Sequence, residues 1–366
     1  MKKVRHVLGI SGGKDSAALA IYLKDNYPQL DIEYYTCDTG KELEQTYELI
    51  KTLQIYLEKE IIVLRAAEGS HEDPFDHFLK FKRQFLPSSY NRWCTKNLKL
   101  DPFEKWVGND LVVSYVGIRG DEDREGYISH KPNIQSIFPF RKNIWSEDVI
   151  GKIFKNSNIP FLLNSYARYL EKAELERTLE IARTPLSLRF TRDEKIGALL
   201  NINVPAFNKV VFDYLKGTTY SLAYEDHYPL LENDDVIIRE DVFKMLSDSG
   251  VGIPDYYNKI EFKLKEGTGE YARSRSGCYF CFYQQKIEWV WLFEQHPDKF
   301  YNAMEYEKDG YTWCDNESLS DLIRPERIEQ IKKEYLARQS NNQPKSPFLL
   351  DILDEAEGEG CAACFI

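Results

Sequence analysis

The chain has 366 residues, a formal net charge of −11, 43% hydrophobic and 29% charged residues, which suits a soluble globular protein with room for two domains. The acidic balance excludes a chain-wide basic footprint for nucleic acid, leaving a local basic groove or a partner that delivers it. No apolar run reaches the ~18 residues a membrane span needs, and Met1-Lys2-Lys3-Val4 lacks a leader core, so a cytoplasmic protein with no membrane partner is expected. Seven cysteines without a secretion signal point to metal, cluster or redox chemistry rather than disulfides.

Val4–Ile10 reads as a buried strand and Ala17-Ala18-Leu19-Ala20-Ile21 as helix. Between them stand Ser11-Gly12-Gly13-Lys14-Asp15-Ser16. A strand, a glycine turn and a helix start make an anion site, because the first helical N–H groups are unpaired and the dipole favours negative charge. Gly12 and Gly13 admit a phosphate close to the backbone, Lys14 adds charge, and Ser11 and Ser16 add hydroxyls. A Walker A loop is excluded, since Asp15 stands where that loop carries Ser or Thr.

Ile32–Cys37 reads as a second strand ending at Asp38-Thr39-Gly40, Lys41–Glu60 as a helix, and Ile61–Leu64 as a third strand. The βαβαβ order predicts a parallel sheet with right-handed crossovers, with ligands at strand carboxyl ends. Ser70–Leu100 reads as mostly helical and contains Arg92-Trp93-Cys94-Thr95-Lys96-Asn97-Leu98-Lys99. Leu111–Ile118 is the next buried strand, and Arg119 leaves its carboxyl end, where a planar guanidinium suits phosphate. Arg124 follows a few residues later.

From Pro160 to about Ile260 the periodicity is helical, including Lys195–Leu200 and Val242–Leu246. Cys278 and Cys281 then have the spacing of two thiolate ligands on one turn, preceded by Arg273 and Arg275 and followed by an aromatic helix. With Cys94 and Cys314 they make four thiolates, a set that suits Zn²⁺ or a [4Fe–4S] cluster. The acidic tail ends with Cys361 and Cys364, read either as a mobile dithiol or as silent.

Ser11–Ser16 resembles the pyrophosphate loop of the adenine-nucleotide α-hydrolases, the PP-loop ATP pyrophosphatases. Asp38-Thr39-Gly40 with Thr46, the Arg-x-Cys-Thr segment and Gly117-Ile118-Arg119 resemble the phosphoadenylyl-sulfate reductase branch of that superfamily. The order of Cys94, Cys278, Cys281 and Cys314 is similar to that of the DNA phosphorothioation (Dnd-type) sulfurtransferases. The resemblance implies a Rossmann-like α/β fold: a parallel sheet with a PP-loop over 1–155, a helical insertion over 156–260, a Cys-rich iron–sulfur region over 261–335 and a flexible tail over 336–366. It implies ATP and Mg²⁺ at Ser11, Gly12, Gly13, Lys14, Asp15, Ser16, Asp38, Thr39 and Gly40, catalysis by Lys14, Asp15 and Arg119, and a [4Fe–4S] cluster, with Zn²⁺ as the alternative, on the four cysteines. The activity expected is adenylating, pyrophosphate-releasing sulfur transfer to nucleic acid, with a cysteine desulfurase and a nucleic-acid-bearing protein as partners. A reductase of an activated sulfate nucleotide and a non-catalytic nucleotide-sensing subunit are the alternatives.

Overall fold

The computed structural model describes residues 3–122, 129, 131–308, 310–314 and 317–341, the last three by backbone only. Arg124, Cys361 and Cys364 lie outside the described residues. Seven strands are present among them: β1 Arg5–Gly9, β2 Ile32–Asp38, β3 Ile61–Arg65, β4 Val112–Tyr115, β5 Ile134–Ile137, β6 Ile260–Leu264 and β7 Gly267–Tyr271. The first five form one sheet in the order β3-β2-β1-β4-β5, and β6 pairs antiparallel with β7. Strand β4 runs parallel to both β1 and β5, with Val7 opposite Ser114 and Ser114 opposite Ser136. Strand order therefore reverses between β1 and β4, which in an open α/β sheet marks the ligand end. This is the Rossmann-like α/β fold expected.

The chain forms two compact units whose segments alternate along the sequence. The first comprises Met1–Gly9, Ala18–Tyr34 and Val107–Met245. It contains most of α1 (Lys14–Asn26), then α6 (Glu147–Ile153), α7 (Ile159–Tyr166), α8 (Lys172–Arg183), α9 (Arg192–Leu200), α10 (Val204–Leu215) and most of α11 (Arg239–Asp248). Val7, Leu8, Val112, Val113 and Tyr115 are fully buried, as near-continuous apolar runs in a covered parallel sheet must be. The insertion is helical because its apolar residues repeat at helical spacing: Phe207 of α10 stacks on Phe154 at 5.5 Å. Thr191 and Glu194 form a reciprocal cap at the start of α9. Buried Lys195 donates to the carbonyls of Ala182 and Thr184 at 2.7 and 2.8 Å, satisfying the end of α8.

The second unit comprises Ile10–Ala17, Tyr35–Trp106 and Leu246–Ile366. It contains α2 (Glu44–Leu57), β3, α3 (Pro74–Phe81), α4 (Trp93–Thr95) running through a π-helical turn at Lys96–Leu100 into α5 (Asp101–Val107), the β6–β7 hairpin, α12 (Lys286–Gln295), α13 (Pro297–Met304), α14 (Leu319–Leu322) and α15 (Pro325–Asn341). Its core is aromatic: Phe280 stacks on Trp313 at 4.9 Å and packs against Phe75 at 4.5 Å. The helix expected over Lys41–Glu60 is shorter at its start, because the Thr39 and Glu42 side chains engage the turn instead. The polar helix expected over Ser70–Leu100 is two pieces separated by a loop in which Arg83 and Gln84 have positive φ. Strand β5 and the hairpin were not anticipated.

Candidate functional site

Chain order makes Ser11–Ser16 the β1–α1 turn, and the second unit holds it together with both cysteine segments. Helix α1 begins at Lys14, so the amides of Lys14, Asp15 and Ser16 start without intrahelical partners. Gly12 has φ +70°, a left-handed conformation that side chains disfavour, and a Cβ there would stand 2.2 Å from Thr46 Cγ2. Ser16 Oγ accepts from the Ser11 amide at 3.2 Å and donates to the Gly13 carbonyl at 3.2 Å, holding the turn open. Lys14 is buried, with Nζ 3.0 Å from Asp15 Oδ2.

Two tyrosines distant in sequence, Tyr256 and Tyr257, close this loop. Tyr256 donates to the Gly12 carbonyl at 3.0 Å, and the Lys14 amide donates to the Tyr257 hydroxyl at 3.4 Å. Lys14 Nζ lies 5.3 Å from the Tyr257 ring centre. Burial pushes the Tyr257 hydroxyl up to about 12, with the Asp15 charge adding to the effect, so it stays protonated at neutral pH. Nothing local in Gly252–Tyr257 signals this role, since only tertiary packing brings the pair to the loop.

The Asp38-Thr39-Gly40 turn is held by its own side chains. Asp38 Oδ1 accepts from the Gly40 amide at 2.8 Å and lies 3.0 Å from the Tyr47 hydroxyl. Thr39 donates to Glu42 Oε1 at 2.6 Å, and the Cys278 thiol lies 3.2 Å from Thr39 Oγ1. Because the threonine proton is committed to Glu42, the thiol is the donor of that pair. Burial, then the Glu42 charge, pushes the Cys278 thiol well above its ordinary range, and burial raises Glu42 too. Burial also pushes the Cys37 thiol up to about 12. Ser11, Asp38, Glu42, Thr46, Tyr47 and Lys99 are among the walls of a cavity of about 260 Å³. Lys99 belongs to the Arg92–Lys99 segment named above, whereas Glu42 lies outside every motif of the sequence.

Cys94, Cys278 and Cys281 line one small cavity of about 50 Å³, walled by Phe75, Phe280, Phe282 and Trp313. Cys314 lines the adjoining larger cavity, which shares Pro87, Phe282, Tyr283 and Trp313 with the first. Among the described residues no group of three or more His, Cys, Asp or Glu is arranged to hold a metal ion. Three thiols in one aromatic cavity, with a fourth at the cavity beside it, supply the donor chemistry of a soft metal or cluster without its assembled geometry, and Cys278 would have to exchange its Thr39 contact for the metal. Arg273 is buried: Nη2 donates to the Cys278 carbonyl at 3.2 Å, and Nε has no hydrogen-bond partner among the described residues.

The cysteine loop reaches the Gly12–Gly13 turn. A Cβ on Gly13 would stand 2.4 Å from Ser276 Oγ, and the Tyr279 amide donates to the Lys41 carbonyl at 2.9 Å. Arg119 belongs to the first unit, where its buried guanidinium pairs with Asp121 at 2.9 Å and Glu122 at 2.8 Å.

These features define an α/β protein with a Rossmann-like sheet and a glycine turn after the first strand. Residues 5–140 match the family described as phosphoadenosine phosphosulfate reductase domain. The chain is also 29% identical over 154 residues to an uncharacterized protein of Methanocaldococcus jannaschii, a match that covers 38% of this chain and 30% of the length of that relative. No solved structure matches the chain. Among the described residues no helix is long and apolar enough to cross a membrane.

Proposed function

We propose that the protein cleaves ATP between the α and β phosphates and transfers sulfur to the adenylated acceptor, a nucleic acid in a DNA-phosphorothioation-type system. The similarity to phosphoadenosine phosphosulfate reductases over residues 5–140 supports nucleotide-dependent sulfur chemistry. The observation that carries the reading is Ser276 against Gly13, because a phosphate loop touching a Cys-x-x-Cys loop sets the activated phosphorus beside the sulfur chemistry.

An acceptor oxygen attacks the α-phosphorus, the bond to the bridging oxygen breaks, and pyrophosphate leaves. Lys14 and the amides at the start of α1 stabilise the departing charge, with Mg²⁺ carried in on the nucleotide. The Tyr257 hydroxyl, now on the Lys14 amide, yields that donor to the phosphate. Asp15 positions the Lys14 ammonium through their buried pair. Arg119 stands as a proposed anion-binding group whose two carboxylate partners would have to share it. Cys94, Cys278, Cys281 and Cys314 would hold the metal or cluster, which supplies bound sulfur or electrons. A cysteine desulfurase would deliver the sulfur as a cysteine persulfide. Its terminal sulfur attacks the adenylated acceptor phosphorus, and the adenylated oxygen leaves as AMP. A second cysteine thiolate then attacks the persulfide's inner sulfur, freeing the thio-product and leaving a disulfide that an external thiol reduces.

The test is product analysis with acceptor present. AMP and pyrophosphate are expected, and ADP as the sole nucleotide product overturns the reading. The family match favours a second reading, reduction of an activated sulfate nucleotide to sulfite. It requires sulfite formation that a Cys361→Ser/Cys364→Ser variant loses, in an enzyme that never cleaves ATP.

A further inference from the structure

The larger cavity, about 710 Å³, is not used by the nucleotide chemistry above. Its lining is unusual for a protein of such acidic composition. Tyr90, Phe282, Tyr283 and Tyr335 present aromatic surface, and Tyr90 is 99% exposed, so packing does not account for it. The Arg92 guanidinium lies 5.1 Å from the Tyr283 ring centre, and Arg275 lies 5.8 Å from it. Of the charged residues at this cavity, Lys286 pairs with Glu317 and Glu334 with Arg327, so those charges are largely answered. Arg338 at this cavity and Arg92 beside Tyr283 have no carboxylate partner among the described residues.

An open groove with aromatic faces and uncompensated arginines matches the chemistry of an unpaired nucleic-acid strand, whose bases stack while its phosphates seek cations. A duplex hides its base faces and offers no such match. The shared wall of Phe282, Tyr283 and Trp313 puts whatever lies in the groove next to the cavity of Cys94, Cys278 and Cys281.

We propose that this groove seats the acceptor as a single strand, with a base stacked on Tyr90 and a phosphate at Arg338. The proposal rests on the acceptor being a nucleic acid, as argued above. It explains how a chain of net charge −11 engages a polyanion: the recognition is local.

The test is fluorescence anisotropy with a 5′-labelled dT12 probe, its duplex with dA12, and salt titrations of each. Wild type is expected to bind dT12 in preference to the duplex. Tyr90→Ala should weaken binding at least about fivefold, the low end of one base stack. Arg338→Gln should reduce the slope of log affinity against log salt by about 0.7, one phosphate contact on a single strand. Both side chains are exposed, so the fold is kept, and Tyr224→Ala, an exposed tyrosine of the other unit, should bind as wild type. Equal binding by wild type, Tyr90→Ala and Arg338→Gln, a preference for duplex, or no binding by wild type overturns the groove assignment. Formation of AMP without dT12 binding overturns the groove and leaves the ATP chemistry standing. Absence of AMP with any acceptor overturns the reading beneath it.

Discussion

Gly13→Ala isolates the contact between the phosphate loop and the cysteine loop. Gly13 is outside the left-handed region, so alanine is acceptable to the backbone. The added Cβ would stand 2.4 Å from Ser276 Oγ and 3.2 Å from Ser276 Cβ. Ordinary contact begins at 3.4 Å, so the hydroxyl must retreat by 3.4 − 2.4 = 1.0 Å and the Cβ by 3.4 − 3.2 = 0.2 Å. Rotation of the serine relieves the first, so the cost falls at the low end for overpacking, about 1 kcal/mol. Ser276→Gly removes both atoms. The double variant should therefore recover most of what Gly13→Ala loses, a coupling of about 1 kcal/mol in urea unfolding followed by circular dichroism. Gly12→Ala is the contrast: its φ of +70° and the 2.2 Å approach to Thr46 make it destabilising in either background. If Gly13→Ala and Ser276→Gly are additive within about 0.4 kcal/mol, the two loops do not touch and the proposed chemistry loses its juxtaposition.

Three further outcomes follow from the same geometry. Lys14→Gln should lower AMP formation about 100-fold or more, measured by radiolabelled product analysis at saturating acceptor, because it removes a charge aimed at the leaving pyrophosphate. Anaerobic purification should yield metal, with or without labile sulfide, that falls in each of Cys94→Ser, Cys278→Ser, Cys281→Ser and Cys314→Ser. Loading should release protons at pH 7, since burial keeps the Cys278 thiol protonated beforehand. His6 is lowered from 6.5 to about 4, chiefly by burial. The unfolded chain therefore binds the proton more readily, and stability falls as pH drops from 6.5 towards 4. That loss is about 3 kcal/mol at most, and His6→Phe should flatten it in urea midpoints taken at pH 7, 6 and 5.

The Ser11–Ser16 turn was legible because its signals are local. Gly12 and Gly13 carry their meaning in backbone freedom, and the flanking β-branched run and alanine-rich helix supply the context. The β1–β3 order was legible for the same reason: hydrophobic period and length separate strand from helix without reference to the rest of the chain. The hairpin escaped notice although Ile260, Phe262 and Leu264 alternate with charged residues, because only Phe262 of the strand is buried. Strand β5, Ile134-Gln-Ser-Ile, is short and half polar, and its burial follows from pairing with β4 and from the distant 221–224 segment, whose Leu222 amide donates to Gln135 Oε1 at 3.0 Å.

What the sequence by itself determined is therefore the α/β class, the glycine turn and the spacing of two thiols, all properties of neighbouring residues. Only the tertiary structure decided that Tyr256 and Tyr257 close the Gly12–Gly13 turn, that the Cys278 thiol meets Thr39, and that Ser276 meets Gly13. Each is a contact between segments far apart in the chain, selected by the packing of one aromatic core, and no local pattern of residues encodes which distant partner that packing brings within reach.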